Sequence, residues 1–438
     1  MILTGRTAVA AVLVAVGVFV ATPNGSTNGW VVLLVANVVL LAMAALDAVA
    51  APSPSSINMR REHPGVVVLE RTATLRWVVQ NTSRRRMRLG IADDLPDTLG
   101  VPNRRCAVVI APGGTATVTT TMTPVRRGRF ALDTASVRLR GPLGLAARQA
   151  RIKVPSQLRV HPPFRSQKEA ELKIRQARLL TVGLRSARGL GGGTEFEQLR
   201  EYTTDDEFRS VDWAATARAG KTIVRTYRPE RNQTIIVMLD AGRLMAGRVD
   251  GVPRLEHAMD AVMMLGAVAT SLGDKVGLVV FDAAVQSTVA PARHRDQVSR
   301  MTEAMFDVEP ALAATNYRAA FAEMLARFRR RSLVVVLTEL ASHVTEESLA
   351  PALPLLGRNH VVVVASVTDP AVASWSTEPV QDDVGAYRRA AALSSLSQRR
   401  RAGGLLRGRG AIVLDAPPGR LASELADVYL QVKSTGRL

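Results

Sequence analysis

A chain of 438 residues is too long for one hydrophobic core and implies two or three domains. Hydrophobic residues at 47% exclude a disordered chain, and a single cysteine, Cys106, excludes an intrachain disulfide and a thiolate metal cluster. The formal charge of +19 points to an acidic partner or to an arginine-rich composition without one; no basic stripe carries the interleaved aromatics that base stacking needs, which argues against nucleic acid.

Two apolar runs open the chain, Thr7 to Thr22 and Trp30 to Ala51, joined by the uncharged "PNGSTNG". The second is long enough to span a bilayer, and together they predict a helical hairpin anchor. A signal peptide is the rival for the first run, but no clear small-x-small cleavage site follows it. Arg6 precedes the first run, Arg60 and Arg61 follow the second, and the tip has no Lys or Arg, so both termini and the chain beyond residue 52 are expected in the cytoplasm at the cell membrane. Asp47 falls at the inner end of its helix, within reach of headgroup water, where a carboxylate is tolerated.

From 59 to 160 the pattern turns to short strands. "VVVLERTATLRWVVQN" alternates, with Leu75, Trp77 and Val79 on one face, and turn signals recur at "PGG" and "GP", which predicts a small immunoglobulin-like β-sandwich. The basic loops "SRRRMR" (83–88) and "PVRRGRF" (124–130) read equally as contacts to anionic lipid or as solvated loops. "KEAELKIRQARLL" has helical spacing, and "GLGGG" (189–193) reads as a flexible linker, because it lacks the Lys-Ser/Thr of a phosphate-binding loop.

An acidic island follows. "GTEFEQLREYTTDDEFRSVDWAATAR" (193–218) carries seven carboxylates against three arginines. Spacing puts Phe196, Leu199 and Tyr202 on one face of a short helix, and Phe208, Val211 and Ala215 on a second. Arg200, Arg209 and Arg218 are planar forks suited to neighbouring carboxylates, so the simplest picture is a cross-braced collar with Trp213 packed on the following domain. An active site built on Glu195, Glu197, Asp205 and Asp206 would need carboxylates of separated pKa or a metal, and no nucleophile with an adjacent base accompanies them.

Beyond residue 232 apolar runs without alternation (234–240, 275–282, 332–340, 360–369, 410–417) interleave with amphipathic helices (254–273, 317–328) and a helical "TEESLAPALPLLG". That pattern predicts a doubly wound sheet covered on both faces, with ligands gathering at the carboxyl ends of its strands, where Asp240, Glu339 and Asp369 fall. "QRRRAGGLLRGRG" (398–410) reads as a basic flexible loop before the last strand.

The C-terminal domain resembles the von Willebrand factor A domain. The resemblance implies a divalent cation held by Asp-x-Ser-x-Ser at the first strand end, a Thr and a later Asp. Here "DAGRLMAG" keeps Asp240 but places Gly242 and Leu244 where the hydroxyls belong; Thr315 matches the Thr, and Glu339 stands for the Asp. Mg²⁺ would therefore keep only a degenerate set of Asp240, Thr315 and Glu339.

The island resembles the signature of the bacterial domain-of-unknown-function family 58: "EFEQLREY" (Glu195, Phe196, Leu199, Arg200, Tyr202), the pair Asp205 and Asp206, then Arg209, Asp212, Trp213 and Arg218 in "RSVDWAATAR". Thr204 departs from the usual Gly before the Asp pair. The expected architecture is a two-helix anchor (1–52), a β-sandwich (59–160), a helical linker with the signature (161–232) and an α/β von Willebrand factor A-like domain (233–438). The resemblance implies a MoxR-type AAA+ ATPase partner. The expected function is a membrane-anchored adaptor without catalysis of its own, acting in protein assembly or maturation; the alternative is a divalent-cation-dependent hydrolase or ligand-binding enzyme using Asp240 and nearby carboxylates.

Overall fold

The computed structural model describes residues 2–21, 27–187, 195–204, 206, 208–228 and 233–435. The glycine stretch 189–193, most of the polar tip 23–29, and Asp205 lie outside them. The chain divides into two compact units, Met1–His161 and Pro162–Leu438.

The first unit opens with strand β1 (Ile2–Leu3) and two apolar helices, α1 (Gly5–Ala21) and α2 (Thr27–Ala50). Only the second is long and apolar enough to cross a membrane; the first is shorter. The remaining strands are β2 (Ile57–Glu62), β3 (Val66–Val68), β4 (Ala73–Asn81), β5 (Met87–Asp93), β6 (Arg105–Ile110), β7 (Thr115–Met122), β8 (Gly128–Arg140) and β9 (Ala146–His161). They form one sheet in the order β1-β9-β8-β5-β6, with β3 beside β9, and a second in the order β2-β4-β7. Alternate residues of both sheets, among them Leu75, Trp77, Leu89, Ile91 and Leu139, share one buried cluster.

Two charges of this unit do other work than their positions in the sequence suggest. Arg61 is not a juxtamembrane surface charge: its side chain is fully buried and forks onto Asp93, which also accepts Trp77 Nε1 at 2.6 Å. Arg61 Nη1 further donates to the carbonyls of Leu132 and Val154, beside an irregularity in the β8–β9 ladder that breaks the regular pairing. Asp47 does not sit in headgroup water. It is 2% exposed, and its carboxylate accepts the amides of Leu143, Leu145 and Ala146 in the β8–β9 turn at 2.7, 2.8 and 2.9 Å. A side chain on Gly141 would meet the Asp47 carboxylate at 2.4 Å, so glycine is required there. The base of α2 is thus clasped to the β8–β9 turn.

The second unit begins with helix α3 (Gln167–Ala187) and a small lobe: strand β10 (Glu195–Glu201), helix α4 (Trp213–Ala219) and strand β11 (Ile223–Arg228). The expected helix through Phe196, Leu199 and Tyr202 is a strand, paired antiparallel with β11. The second expected helix is a 3-10 turn at Phe208–Ser210 followed by α4.

Next come strand β12 (Thr234–Asp240), the short pair β13 (Arg248–Val249) and β14 (Val252–Pro253), helix α5 (Arg254–Ser271), strands β15 (Lys275–Phe281) and β16 (Val285–Ala292), and helices α6 (Gln297–Met305) and α7 (Tyr317–Arg327). Strand β17 (Leu333–Leu337), the turn α8 (Ser342–Val344), helix α9 (Ala350–Gly357), strand β18 (Val361–Val367), helices α10 (Pro370–Thr377) and α11 (Asp383–Gly408), strand β19 (Ile412–Ala416) and helix α12 (Leu421–Ser434) complete it. The sheet order is β16-β15-β12-β17-β18-β19, parallel except for the edge strand β16.

Successive residues of β12 alternate between two cores. Ile235, Val237 and Leu239 meet α5, α6 and α12; Ile236 and Met238 meet α7 and α9. Both faces are covered, which is why these strands are continuously apolar. Of the stretch 398–410, residues 398–408 are the last part of helix α11, not a loop, and only Arg409 and Gly410 form a turn. Its Gly403 and Gly404 lower helix propensity without breaking the helix, and Gly403 is buried.

Candidate functional site

Parallel pairing of β12 with β15 and β17 sets the strand ends side by side and places Asp240 at the carboxyl edge of the sheet, fully buried. Asp240 Oδ1 accepts the amide of Gly242 at 2.8 Å and the hydroxyl of Thr315 at 2.8 Å. Oδ2 accepts Thr338 Oγ1 at 2.6 Å and Tyr317 OH at 3.1 Å. Thr315 is delivered by the loop whose next residue, Asn316, caps α7 through the amide of Ala319. Burial pushes the Asp240 carboxyl above the usual range even though four donors pull it down. Burial and the charge of Asp240 likewise raise the Tyr317 phenol.

Asp240 and Thr315 therefore meet through a hydrogen bond, and Tyr317 and Thr338 complete the shell around the carboxylate. Neither was singled out in the sequence; a hydroxyl immediately after a buried strand, as in "VVVLTEL", is the signal for Thr338.

Glu339 does not join them. Its carboxylate pairs with Arg254 at 3.0 Å and with Arg399, and accepts Ser366 Oγ at 3.2 Å. Arg399 reaches in from α11 and also binds Asp415 at 2.7 and 2.8 Å and the carbonyl of Val367 at 2.8 Å. Burial alone would lower the Arg399 pKa; Asp415 and Glu339 reverse this and raise it.

The residues present do not fit a divalent cation. Both Asp240 oxygens already accept two donors. A side chain on Gly242 would lie 2.1 Å from Thr315 Oγ1, so the Thr315 hydroxyl fills the space a serine would need. Two guanidinium groups hold Glu339. Among the described residues no group of three or more His, Cys, Asp and Glu is placed to hold a metal ion.

The signature lobe is built differently. Arg200 forks onto Asp206, whose Oδ2 also accepts the amide and hydroxyl of Thr203 at 2.8 and 2.9 Å. Burial would raise the Asp206 pKa; the Thr203 amide and Arg200 outweigh it and hold it low. Asp212 caps α4 through the amide of Ala215 at 3.0 Å and accepts Arg225 Nε at 2.7 Å; that hydrogen bond is the main cause of its lowered pKa. Glu201 takes the exposed Lys221 at 3.0 Å.

The brace for Asp212 thus comes from Arg225 on β11. Arg218 instead donates to the carbonyl of Ala214, and Arg209 is exposed. Tyr202 is half-buried, and the side chains of Glu195 and Phe196 lie outside the described residues. Trp213 does not pack on the sheet domain: it is 61% exposed and meets Phe208, 69% exposed, edge-on at a ring separation of 5.5 Å. Val211, Ala215, Ile223 and Val224 are buried apolar residues of this lobe.

The second unit is a mixed α/β structure with a covered, mostly parallel sheet, a strand-end carboxylate ringed by hydroxyls and an amide, and an appended two-stranded lobe. Residues 198–376 match the family model described as "Protein of unknown function DUF58". Among solved structures, the chain is similar to the conserved hypothetical protein BatB from Bacteroides thetaiotaomicron (15% identity, TM-score 0.32, covering 47% of this chain and 100% of that one). It is also similar to the CARDB domain of the PF1109 protein from Pyrococcus furiosus, solved in complex with di-metal ions (12% identity, TM-score 0.18, 24% of this chain and 86% of that one). Both are distant likenesses. No curated protein matches the chain.

Proposed function

We propose that the protein is a membrane-anchored adaptor facing the cytoplasm, in which a von Willebrand factor A-like domain carries the signature lobe as a docking surface for a MoxR-type AAA+ ATPase in protein assembly or maturation. The observation that carries this reading is the Phe208–Trp213 pair. Two large aromatics stand in solvent on a lobe whose own ion pairs, Arg200–Asp206 and Arg225–Asp212, hold it in shape. Exposed, preorganised aromatics are the residues that dominate protein interfaces, and nothing in folding alone needs them outside. The apolar length of α2 and the uncharged tip support the anchor and its orientation, with α1 as the second pass.

The test compares the tagged full chain with a Phe208→Ala/Trp213→Ala variant, both purified from their own cells in mild detergent. The expected result is an AAA+ ATPase with the parent chain and at least tenfold less with the variant. Equal recovery with the variant would remove the lobe as the docking surface. No ATPase above the level found with the anchor alone would remove the partner.

A further inference from the structure

The solvent face of the larger sheet in the first unit holds a trough of about 720 Å³. Its floor and rim follow from the strand register. One row across β6, β5, β8 and β9 reads Val109, Arg88, Arg140, Ala147; the next reads Ala107, Gly90, Arg138, Gln149; the third reads Arg105, Ala92, Ser136, Arg151. Five arginines occupy this grid; the carboxylate that lines the trough, Asp94, lies past the end of β5, beyond the third row.

Arg88 and Arg140 are direct cross-strand partners, an arrangement of like charges that costs stability unless an anion lies between them. Neither has an ionic partner among the described residues, whereas Arg138 leans on Gln149 at 3.0 Å and Arg151 reaches Asp94 only at 3.9 Å. Gly90 lies beside all three inner arginines. A side chain there would meet its nearest atoms at 3.8 Å, so the backbone does not require glycine; its absence of a side chain is open space.

The row of Arg88 and Arg140 is also the end nearest the anchor. Gly141 follows Arg140 and packs on Asp47, the next turn holds the base of α2, and Ala147, at the end of the same row, is fully buried and pairs with Ile2 of β1. Arg85, just before β5, donates to the carbonyl of Ala50 at the end of α2.

We propose that Arg88, Arg138 and Arg140, around the gap at Gly90, bind the phosphodiester headgroup of an anionic phospholipid at the membrane face. This rests on the anchored reading above, because α2 is what brings the row to the bilayer. Charge complementarity selects the anion, and the clasp selects its source. The second row, with Arg138, lies about 7 Å along the strands, within one Debye length of roughly 8 Å, whereas the third, with Arg105 and Arg151, lies about 13 Å along and falls outside the surface field.

The test uses the full chain in neutral detergent, titrated by calorimetry with dihexanoyl phosphatidylglycerol and with dihexanoyl phosphatidylcholine. The glycerol lipid is expected to bind at least tenfold more tightly, more weakly as salt rises. Arg88→Gln/Arg140→Gln and the charge-neutral Gly90→Val should each weaken it tenfold or more, and Arg105→Gln/Arg151→Gln less than threefold. Unchanged thermal unfolding shows that the variants fold, since all these side chains face solvent. Equal binding of the choline lipid, or full binding by Gly90→Val, overturns the headgroup site. Displacement by equimolar inorganic phosphate would make it a free-phosphate site, and preferential binding of polyglutamate would make it a protein-docking face; either also overturns the proposal. Carbonate extraction of native membranes tests the anchor separately: release of the chain would sink the anchor while leaving the titration readable.

Discussion

Asp240 and Glu339 lie at the same edge of the same sheet, just past or at the ends of the adjacent strands β12 and β17, and both are buried. Their surroundings are opposite. Asp240 has three hydroxyls and an amide and, among the described residues, no basic side chain; Glu339 has two guanidinium groups and one hydroxyl. A parallel sheet gathers polar groups at this edge whatever they are for. What each does depends on the partner types that helices and loops deliver. Hydroxyls from the loop before α7 and the end of β17 leave a carboxylate that desolvation drives toward its proton. Arginines from α5 and α11 make the neighbouring carboxylate the tie between two helices and the sheet.

The largest effect expected from this difference is at Glu339. Glu339→Ala strands Arg254 and Arg399 with one fewer anion, and breaking such a buried pair costs about 3–5 kcal/mol, a fall in Tm on the order of 10 °C. Thermal unfolding of the full chain in detergent checks it. Because the groups act as one network, Glu339→Ala/Arg399→Gln should lose less than the sum of the two single changes. A loss under about 1 kcal/mol for Glu339→Ala would mean that the arginines are already satisfied by Asp415 and solvent, and the contrast with Asp240 would fade.

The sequence made the covered sheet legible because burial on both faces leaves no freedom in strand composition: "TIIVMLD" and "KVGLVVF" can be little else. Asp240 and Thr315, which hydrogen-bond directly, are joined at the level of sequence only by the resemblance, since nothing local pairs them. The partners of Glu339 were hidden because Arg399 lies 60 residues away, in a segment that reads as a basic flexible loop. The strand at Glu195–Glu201 was hidden by its spacing. Phe196, Leu199 and Tyr202 repeat every three residues and imitate a helix, and the slip in register between Phe196 and Gln198 breaks the alternation a strand would show. Asp47 was legible as a carboxylate at a helix end, but its amides come from a turn nearly a hundred residues on. Long-range partners of single polar residues leave no local period to read.

A smaller effect, of opposite sign, is expected at Asp240. Its folded pKa lies above the unfolded value of about 3.9. The stability it contributes is therefore present below that unfolded value and is lost as pH rises through the folded one. Asp240→Asn keeps the shape and removes the buried charge, while the hydroxyls can turn to meet it. It should match or exceed the parent by about 1 kcal/mol at neutral pH, with the gain vanishing as the pH falls through the folded pKa. Denaturant titrations at acid and neutral pH measure this, and millimolar Mg²⁺ should move neither curve. Asp206 and Asp212 run the other way: their lowered pKa values give stability present above about pH 4 and lost as pH falls further. A several-kcal/mol loss in Asp240→Asn at neutral pH would mean that its charge is needed after all, and a cation would return as the simplest reason.

The third strand-end carboxylate sharpens the comparison from the weak side. Asp369 follows β18, and its side chain has neither a hydroxyl shell nor an arginine: Oδ1 accepts the amide of Ala371 at 2.9 Å and caps α10. The residue is half-buried, and its helix has no fully buried side chain, so water can replace the cap on one side. Asp369→Ala should cost about 1 kcal/mol and Asp369→Asn only a few tenths, because asparagine caps nearly as well. The small size is informative. If Asp369→Ala cost as much as Glu339→Ala in the same unfolding assay, position at the sheet edge, rather than the partner set, would be governing what these carboxylates do.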